Sequence, residues 1–176
     1  MKTFYLAAGF QQTGSDTSSA TMPENYRAFI AETPTLDLEN PQYFKPNMLG
    51  GSVEWDLDLS NVECGCLATF YMIKVPGLDA SGNIWMDTDG YGYCDANQGN
   101  GNWCPEMDTM EANKYSWAST PHKCDAPTDV GFYEGCDQGG TCALNIVEQL
   151  GYNGYGPGDS YTINTEKAFH AKVEYG

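Results

Sequence analysis

The fold of this chain is decided by a ten-residue stretch, CPEMDTMEAN at positions 104–113. Its three carboxylates, Glu106, Asp108 and Glu111, stand at positions i, i+2 and i+5. In a regular strand, residues i and i+2 project from one face and residue i+5 from the other. One extra residue between Asp108 and Glu111, a β-bulge, would return Glu111 to the first face. The spacing therefore predicts a bulged strand that lines one surface with three acids.

Stability alone gives no reason for such a row of acids, because packed carboxylates repel one another and raise each other's pKa values. A retaining glycosidase requires this arrangement. One carboxylate attacks the sugar, and a second, about 5 Å away, first donates and then recovers a proton. The alternatives are a solvated strand face and an inherited site without activity.

The composition narrows the choice of partners. The chain has 176 residues, enough for one domain with a core, and 8 basic against 24 acidic residues give a formal net charge of −16. This charge argues against nucleic acid and membrane surfaces, which need basic patches, but it does not repel a neutral polysaccharide. The 13% of aromatic residues suit a folded core and a sugar-stacking surface. No segment approaches the ~20 apolar residues of a membrane span.

The seven cysteines indicate an oxidising, secreted context for so small a chain. Their odd number leaves at least one thiol free or bonded to another chain. No CxxC pair occurs and both histidines are isolated, so we expect no metal and no cofactor. Residues 87–95 faintly resemble a calcium loop but lack the glutamate at its twelfth position, and we interpret them as a turn.

The hydrophobic pattern predicts many short strands separated by Gly, Pro, Asn and Asp. Residues 52–59 and 169–175 alternate between apolar and polar, and residues 66–75 are apolar on both faces. Residues 11–40 form a long polar loop with one helical turn near 24–31, residues 87–102 a surface loop, and residues 143–150 a short helix. We therefore predict a single all-β domain over residues 1–176, a jelly-roll β-sandwich with the 11–40 loop as an insertion.

The acidic stretch EMDTMEAN at 106–113 resembles the signature of glycoside hydrolase family 7, which contains the fungal-type cellobiohydrolases and endoglucanases. Companion motifs follow in the family order over nearly the whole chain except residues 11–40. They include Gly92-Tyr93-Cys94-Asp95, Thr120-Pro121-His122-Lys123-Cys124, Gly139-Gly140-Thr141-Cys142 and Tyr155-Gly156-Pro157-Gly158. The chain corresponds to a central section of the longer family members, so the resemblance implies a shortened version of their concanavalin-like sandwich. It also places residues 2–8 inside the family fold, which implies a strand there rather than a signal peptide.

The resemblance also implies roles for single residues. Glu106 would be the nucleophile, ionised and held at a low pKa by hydrogen bonds; Glu111 would be the acid/base with a raised pKa; Asp108 would hydrogen-bond Glu106 and orient it. Met110 replaces a family tryptophan beside the acid/base. The implied substrate-binding residues are Tyr71, Tyr93, Asp95, Gln98 and His122.

By the same resemblance, Cys94 would pair with Cys104, and Cys124 with Cys136. The family counterparts of Cys64 and Cys142 bond to cysteines beyond the end of this chain. Here they would pair with each other, with Cys66, with another molecule, or not at all.

The resemblance implies an extracellular, retaining β-1,4-glucanase that acts on cellulose or a related glucan, with an open cleft that favours endo cleavage. A second hypothesis is a non-catalytic carbohydrate-binding or structural protein that assembles into a wall or filament through bare strand edges and spare cysteines. A third is a fragment that needs the rest of its chain, or a partner, to fold.

Overall fold

The architecture is that of a computed structural model, which describes residues 5–7, 27–32, 42–86 and 92–176. The regular elements among these residues are strands, as predicted, together with one short helix. The elements in chain order are β1 (Tyr5–Ala7), β2 (Phe29–Ala31), β3 (Ser52–Leu57), β4 (Ala68–Ile73), β5 (Glu106–Ala112), β6 (Trp117–His122), β7 (Leu144–Asn145), α1 (Ile146–Leu150), β8 (Tyr155–Gly156), β9 (Ile163–Asn164) and β10 (Phe169–Glu174).

The chain divides into two compact units, of which the smaller comprises Met1–Pro46 and Thr88–Tyr91. Here β1 pairs antiparallel with β2, and Ala31 forms a bridge to Tyr43. The predicted strand at 2–8 is therefore present at its described residues. The predicted loop and helical turn are wrong at Phe29–Ala31, because these apolar residues alternate in burial and favour a strand. Residues 11–26 and 33–40 of that prediction lie outside the described residues.

The larger unit, Asn47–Asp87 with Gly92–Gly176, is built from two antiparallel layers. One layer is the sheet β4-β5-β6-β7, and the other is the pair β3-β10. Along β3 and β10 every second side chain is half-buried, and the residues between them are exposed, as the alternation predicted. The prediction that the chain forms a single domain over residues 1–176 stays a prediction.

The core of the larger unit lies between these layers and is centred on Trp117. The indole of Trp117 lies 6.1 Å from the ring of Trp55 in β3 and 6.3 Å from Phe169 in β10. From β5, Met110 and Ala112 join the same cluster. The sheet β4-β5-β6 therefore packs one face against this core, and its other face lies outside the core.

Two further sequence predictions have opposite outcomes. The short helix is present as α1, where the Asn145 side chain accepts a hydrogen bond from the Val147 N–H. The predicted surface loop at 87–102 is wrong for residues 92–96, which are buried, because the Cys94–Cys104 disulfide fixes them to the base of β5. Residues 87–91 of that loop, with most of the calcium-like stretch, lie outside the described residues. No helix among the described residues has the length and apolar character needed to cross a membrane.

Candidate active site

The strand β5 contains the predicted bulge. Asp108 lies opposite Thr120 of β6 and Glu111 opposite Ala118, so three steps along β5 match two steps along β6. On its other side, β5 shifts register against β4 at the same place, which leaves Thr109 without an opposed residue. One residue is therefore inserted between Asp108 and Glu111.

The bulge brings the three acids to one face of the sheet. On β4, the residues opposite Glu106, Asp108 and Glu111 are the alternating set Ile73, Tyr71 and Thr69. Alternate residues of a regular strand share a face, and side chains of opposed residues project to the same side. The three carboxylates therefore lie on the face that points away from the core, which we call the acid face.

The Glu106 carboxylate is buried at 8% exposure and accepts a hydrogen bond of 2.9 Å from the Ala96 N–H. The pKa of Glu106 is raised to about 7, mainly by burial and also by the charges of Asp108 and Asp95, while the hydrogen bond from Ala96 and the charge of His122 oppose this rise. The expectation of a low pKa at Glu106 is therefore wrong. One backbone hydrogen bond does not offset the removal of water and the repulsion of two neighbouring acids.

Asp108 hydrogen-bonds His122 rather than Glu106. The Asp108 Oδ2 lies 3.1 Å from His122 Nε2, both side chains are buried, and among the described residues no hydrogen bond joins Asp108 to Glu106. Burial, followed by the charge of Glu111, raises the pKa of Asp108 to about 6. The predicted orienting bond between the two acids is thus replaced by a bond to an imidazole.

The tautomer of His122 is fixed by the backbone. Its Nδ1 lies 2.6 Å from the Asp137 carbonyl oxygen, which can only accept, so Nδ1 carries a hydrogen. The bond between Nε2 and Asp108 then requires one further proton, either on Nε2 or on the carboxyl group. The pair of Asp108 and His122 therefore holds one proton between its two side chains.

Asp95 and Gln98 form a turn beside the acid face. The Asp95 Oδ1 accepts hydrogen bonds from the backbone N–H groups of Asn97 at 2.9 Å and Gly99 at 2.7 Å. A Cβ at Gly99 would lie 2.6 Å from the Asp95 carboxylate, so any other residue there would displace this carboxylate from its position in the turn. Gln98 is exposed at the tip in a left-handed conformation, with φ at 57°. Asp95 supports the loop that carries Ala96, and sugar binding by Asp95 and Gln98 stays a prediction.

The two predicted tyrosines occupy different environments. Tyr71 is half-buried and lies opposite Asp108, which places it on the acid face. Tyr93 is buried at 4% exposure directly before Cys94. Their contact with substrate stays a prediction. Sequence analysis missed the backbone groups of Ala96 and Asp137, because a main-chain donor or acceptor leaves no side-chain signal.

Both implied disulfides are present. Cys94 is bonded to Cys104, close to Glu106 in sequence, and Cys124 is bonded to Cys136. The second disulfide joins the chain just after His122 to the residue before Asp137. It therefore helps to hold the carbonyl that fixes the imidazole. The remaining thiols, Cys64, Cys66 and Cys142, are free and exposed.

Three side chains of the site could geometrically hold a metal ion. One ligand atom from each of Glu106, Asp108 and His122 lies within 4.8 Å of the others. Two carboxylates and an imidazole are ligands that zinc accepts. In this structure, however, His122 and Asp108 already use Nε2 and Oδ2 to bind each other. The expectation that the protein needs no metal or cofactor stays a prediction.

The raised pKa of Glu106 predicts a pH-dependent cost in stability. The pKa is 4.5 without the folded environment and about 7 with it, so the folded protein binds more protons between these values. Stability therefore falls as the pH rises from about 4 to about 7. At pH 8 we expect the Glu106→Gln variant to melt about 2–4 °C higher than the wild type, which corresponds to roughly 1 kcal/mol. The difference between the two pKa values alone would give ~3 kcal/mol, and relaxation and water penetration reduce this figure.

Thermal unfolding at pH 4 and pH 8 measures this effect. Near pH 4 the two proteins should melt together, because Glu106 is then protonated in both states. The matched control is Glu148→Gln at the exposed helix α1, which should melt like the wild type at both pH values. A Glu106→Gln variant that melts no higher than the wild type at pH 8 would contradict the expectation.

Comparisons with known proteins place this geometry in context. No protein-family profile matches the chain. Endoglucanase EG-1 of Trichoderma longibrachiatum is 31% identical over 186 residues, which cover 94% of this chain and 37% of that protein. Endoglucanase EG-1 of Hypocrea jecorina is also 31% identical and covers 94% of this chain and 38% of its own length. The chain thus spans less than two fifths of these relatives.

Solved structures show the same fold. The native Humicola insolens endocellulase EGI is 26% identical, with a TM-score of 0.57 over 73% of this chain and 37% of its own. A structure of endoglucanase I complexed with cellobiose is 20% identical, with a TM-score of 0.63 over 87% and 44%. A GH7 family cellobiohydrolase from Daphnia pulex is 24% identical, with a TM-score of 0.53 over 72% and 39%. The last two bear on the fold alone, and together the matches confirm the predicted all-β jelly-roll sandwich.

Proposed function

We propose that this chain, a glycoside hydrolase family 7 cellulase-like region by its likeness to endoglucanase EG-1 and to solved cellulases, hydrolyses β-1,4-glucan chains of the cellulose type with retention of anomeric configuration. The observation that carries the proposal is the bulge in β5, which gives Glu106, Asp108 and Glu111 a common face. A strand without the bulge would direct Glu111 away from the other two acids.

Each acid has a separate task in this reaction. The Glu106 carboxylate attacks the anomeric carbon while the bond to the glycosidic oxygen breaks, and Glu111 gives its proton to that departing oxygen. Glu111 then removes a proton from water, whose oxygen attacks the same carbon and releases Glu106. Because Glu106 Oε2 accepts from the Ala96 N–H, the other oxygen, Oε1, is left for the attack.

The proton held by Asp108 and His122 tunes this nucleophile. Glu106 attacks only when ionised, and its buried position keeps its pKa at about 7 despite the favourable charge of His122. Asp108 stands next to it and repels a second negative charge. A proton retained on the pair of Asp108 and His122 limits this repulsion, so the pair assists the ionisation of Glu106.

The substrate and location follow from several observations. Endoglucanase I, which shares the fold, is known in complex with cellobiose, and the net charge of −16 does not oppose a neutral glucan. The relatives are endoglucanases, which supports endo cleavage in an open cleft. Two disulfides favour a secreted, extracellular protein. The acidic surface disfavours nucleic acid and membrane partners.

Hydrolysis of a soluble β-glucan tests the proposal directly. We expect the wild type to release reducing ends and the Glu106→Gln variant to be slower by about a thousand-fold or more, because the amide cannot form the glycosyl bond. The Glu148→Gln control should keep the wild-type rate. Equal background rates for the wild type and Glu106→Gln would reject an enzymatic function. Proton NMR of the first product should show the β-anomer, and an α-anomer would contradict retention.

The pH dependence tests the role assigned to His122. The acid limb of kcat/KM reports the free enzyme and should lie near pH 7, where Glu106 ionises. Removing the imidazole in His122→Gln should raise the pKa of Glu106 and move this limb to higher pH. The other histidine provides the control, because His170 of β10 is exposed and hydrogen-bonds Asp56 of the neighbouring strand β3. An unmoved limb in His122→Gln, with His170→Gln also unchanged, would refute the tuning role.

The free thiols favour one alternative, a protein that assembles covalently outside the cell without catalysis. Cys64, Cys66 and Cys142 are all exposed. This alternative predicts disulfide-linked dimers and larger species on a non-reducing gel after air oxidation. The triple variant Cys64→Ser/Cys66→Ser/Cys142→Ser should then run as a monomer. A wild type that also runs only as a monomer would exclude assembly through disulfides.

A further inference from the structure

The inserted residue Thr109 disrupts the hydrogen-bond ladder in the middle of the sheet. A bulge leaves backbone groups of the inserted residue without their usual partners across the strand. Thr109 is fully buried at 0% exposure, so solvent does not reach it to replace these partners. A bulge at this position therefore needs side chains that bind Thr109 directly.

Ser119 of β6 supplies the first of these contacts. It lies between Ala118 and Thr120, the residues opposite Glu111 and Asp108, and therefore directly across from the bulge. The Ser119 hydroxyl donates to the Thr109 carbonyl oxygen at 2.7 Å. It also accepts from the Trp117 indole N–H at 3.2 Å, which orients the hydroxyl.

Tyr175 supplies the second contact from the opposite layer. Its hydroxyl lies 2.7 Å from the Thr109 Oγ1, a hydrogen bond that joins residues 66 positions apart in sequence. The Tyr175 backbone is itself fixed, because its carbonyl accepts from the Gly50 N–H at 2.8 Å and its N–H donates to the Gly51 carbonyl at 2.9 Å. The bulge is thus held across its own sheet and from the neighbouring layer.

The bulge decides which side chain reaches the acid face. With it, Met110 packs in the core and Glu111 lies on the acid face. If the register slipped by one residue, the two side chains would exchange faces, because successive residues of a strand alternate. Met110 would then stand beside Asp108, and the third carboxylate would face the core.

We propose that Ser119 and Tyr175 are positioning residues that hold the bulge at Thr109 and thereby keep Glu111 on the acid face. Neither residue touches the three carboxylates; both act through Thr109. The kinetic consequence rests on the proposed function, since it concerns Glu111 as the proton donor. The structural consequence, a shift of the Glu111 charge away from Asp108, does not depend on catalysis.

The variants Ser119→Ala and Tyr175→Phe remove one hydroxyl each and leave the packed carbon atoms in place. Their activities are compared on two aryl β-cellobiosides. A dinitrophenolate leaves without protonation, whereas a phenolate needs the proton of the general acid. Such proton donation typically raises the rate by about 10²–10⁴-fold. In the double variant we expect kcat/KM for the phenyl substrate to fall about 10- to 100-fold, and that for the dinitrophenyl substrate to change less than about threefold.

The controls are Tyr152→Phe, at a residue with 90% exposure, and Ser116→Ala, at an exposed turn residue; both should match the wild type on both substrates. An equal loss on the two substrates would mark a merely structural role and overturn the proposal. No loss on either would overturn it as well. If the double variant does not fold, the two single variants, which each keep one of the bonds to Thr109, decide by the same comparison.

A second measurement separates this proposal from the proposed function. If the wild type cleaves neither glycoside, the proposed function fails, and carbon-13 NMR titration of the Asp108 carboxyl decides the positioning role. The charge of Glu111 helps to raise the pKa of Asp108, so withdrawal of Glu111 in the double variant should lower that pKa. A titration of Asp108 that matches the wild type and both controls would overturn the proposal.

Discussion

One inserted residue in β5 is the constraint on which the rest of this structure depends. The strand contributes to two environments. Met110 and Ala112 pack in the core, and three carboxylates lie on the acid face. Strict alternation cannot satisfy both, because Glu111 and Glu106 are five residues apart. The extra residue at Thr109 allows both arrangements. Ser119 hydrogen-bonds the carbonyl of this buried residue, and Tyr175 hydrogen-bonds its hydroxyl.

The acid face combines a costly burial with few compensating bonds. Glu106 accepts one hydrogen bond from the backbone N–H of Ala96, and Asp108 shares one with the imidazole of His122. Burial raises the pKa values of both acids. In the proposed reaction this loss of stability would favour reactivity, since a carboxylate surrounded by water would be shielded and less basic. The disulfides Cys94–Cys104 and Cys124–Cys136 hold the loops that carry Ala96 and Asp137. They therefore fix the N–H that binds Glu106 and the carbonyl that binds His122.

The sandwich and the bulge could be predicted from the sequence, because they depend on periodicity and spacing. Both disulfide pairs were implied only by the family resemblance. The sequence did not allow the strand at Phe29–Ala31 to be recognised, since a short apolar run inside a polar segment gives a weak signal. The pKa of Glu106 was misjudged because burial depends on how the 92–96 loop folds over β5. The bond between Asp108 and His122 was missed because residues 14 apart meet only through strand pairing.

The hydrogen bond from Ala96 to Glu106 has a consequence for how this site tolerates mutation. The donor is a main-chain amide, so of the twenty residue types only proline removes it outright. The fully buried position still restricts side-chain size, but that restriction concerns packing rather than the chemistry of the acid. Another small side chain at position 96 would therefore keep the same contact, and a comparison of side chains alone would misread a constant interaction as a variable one.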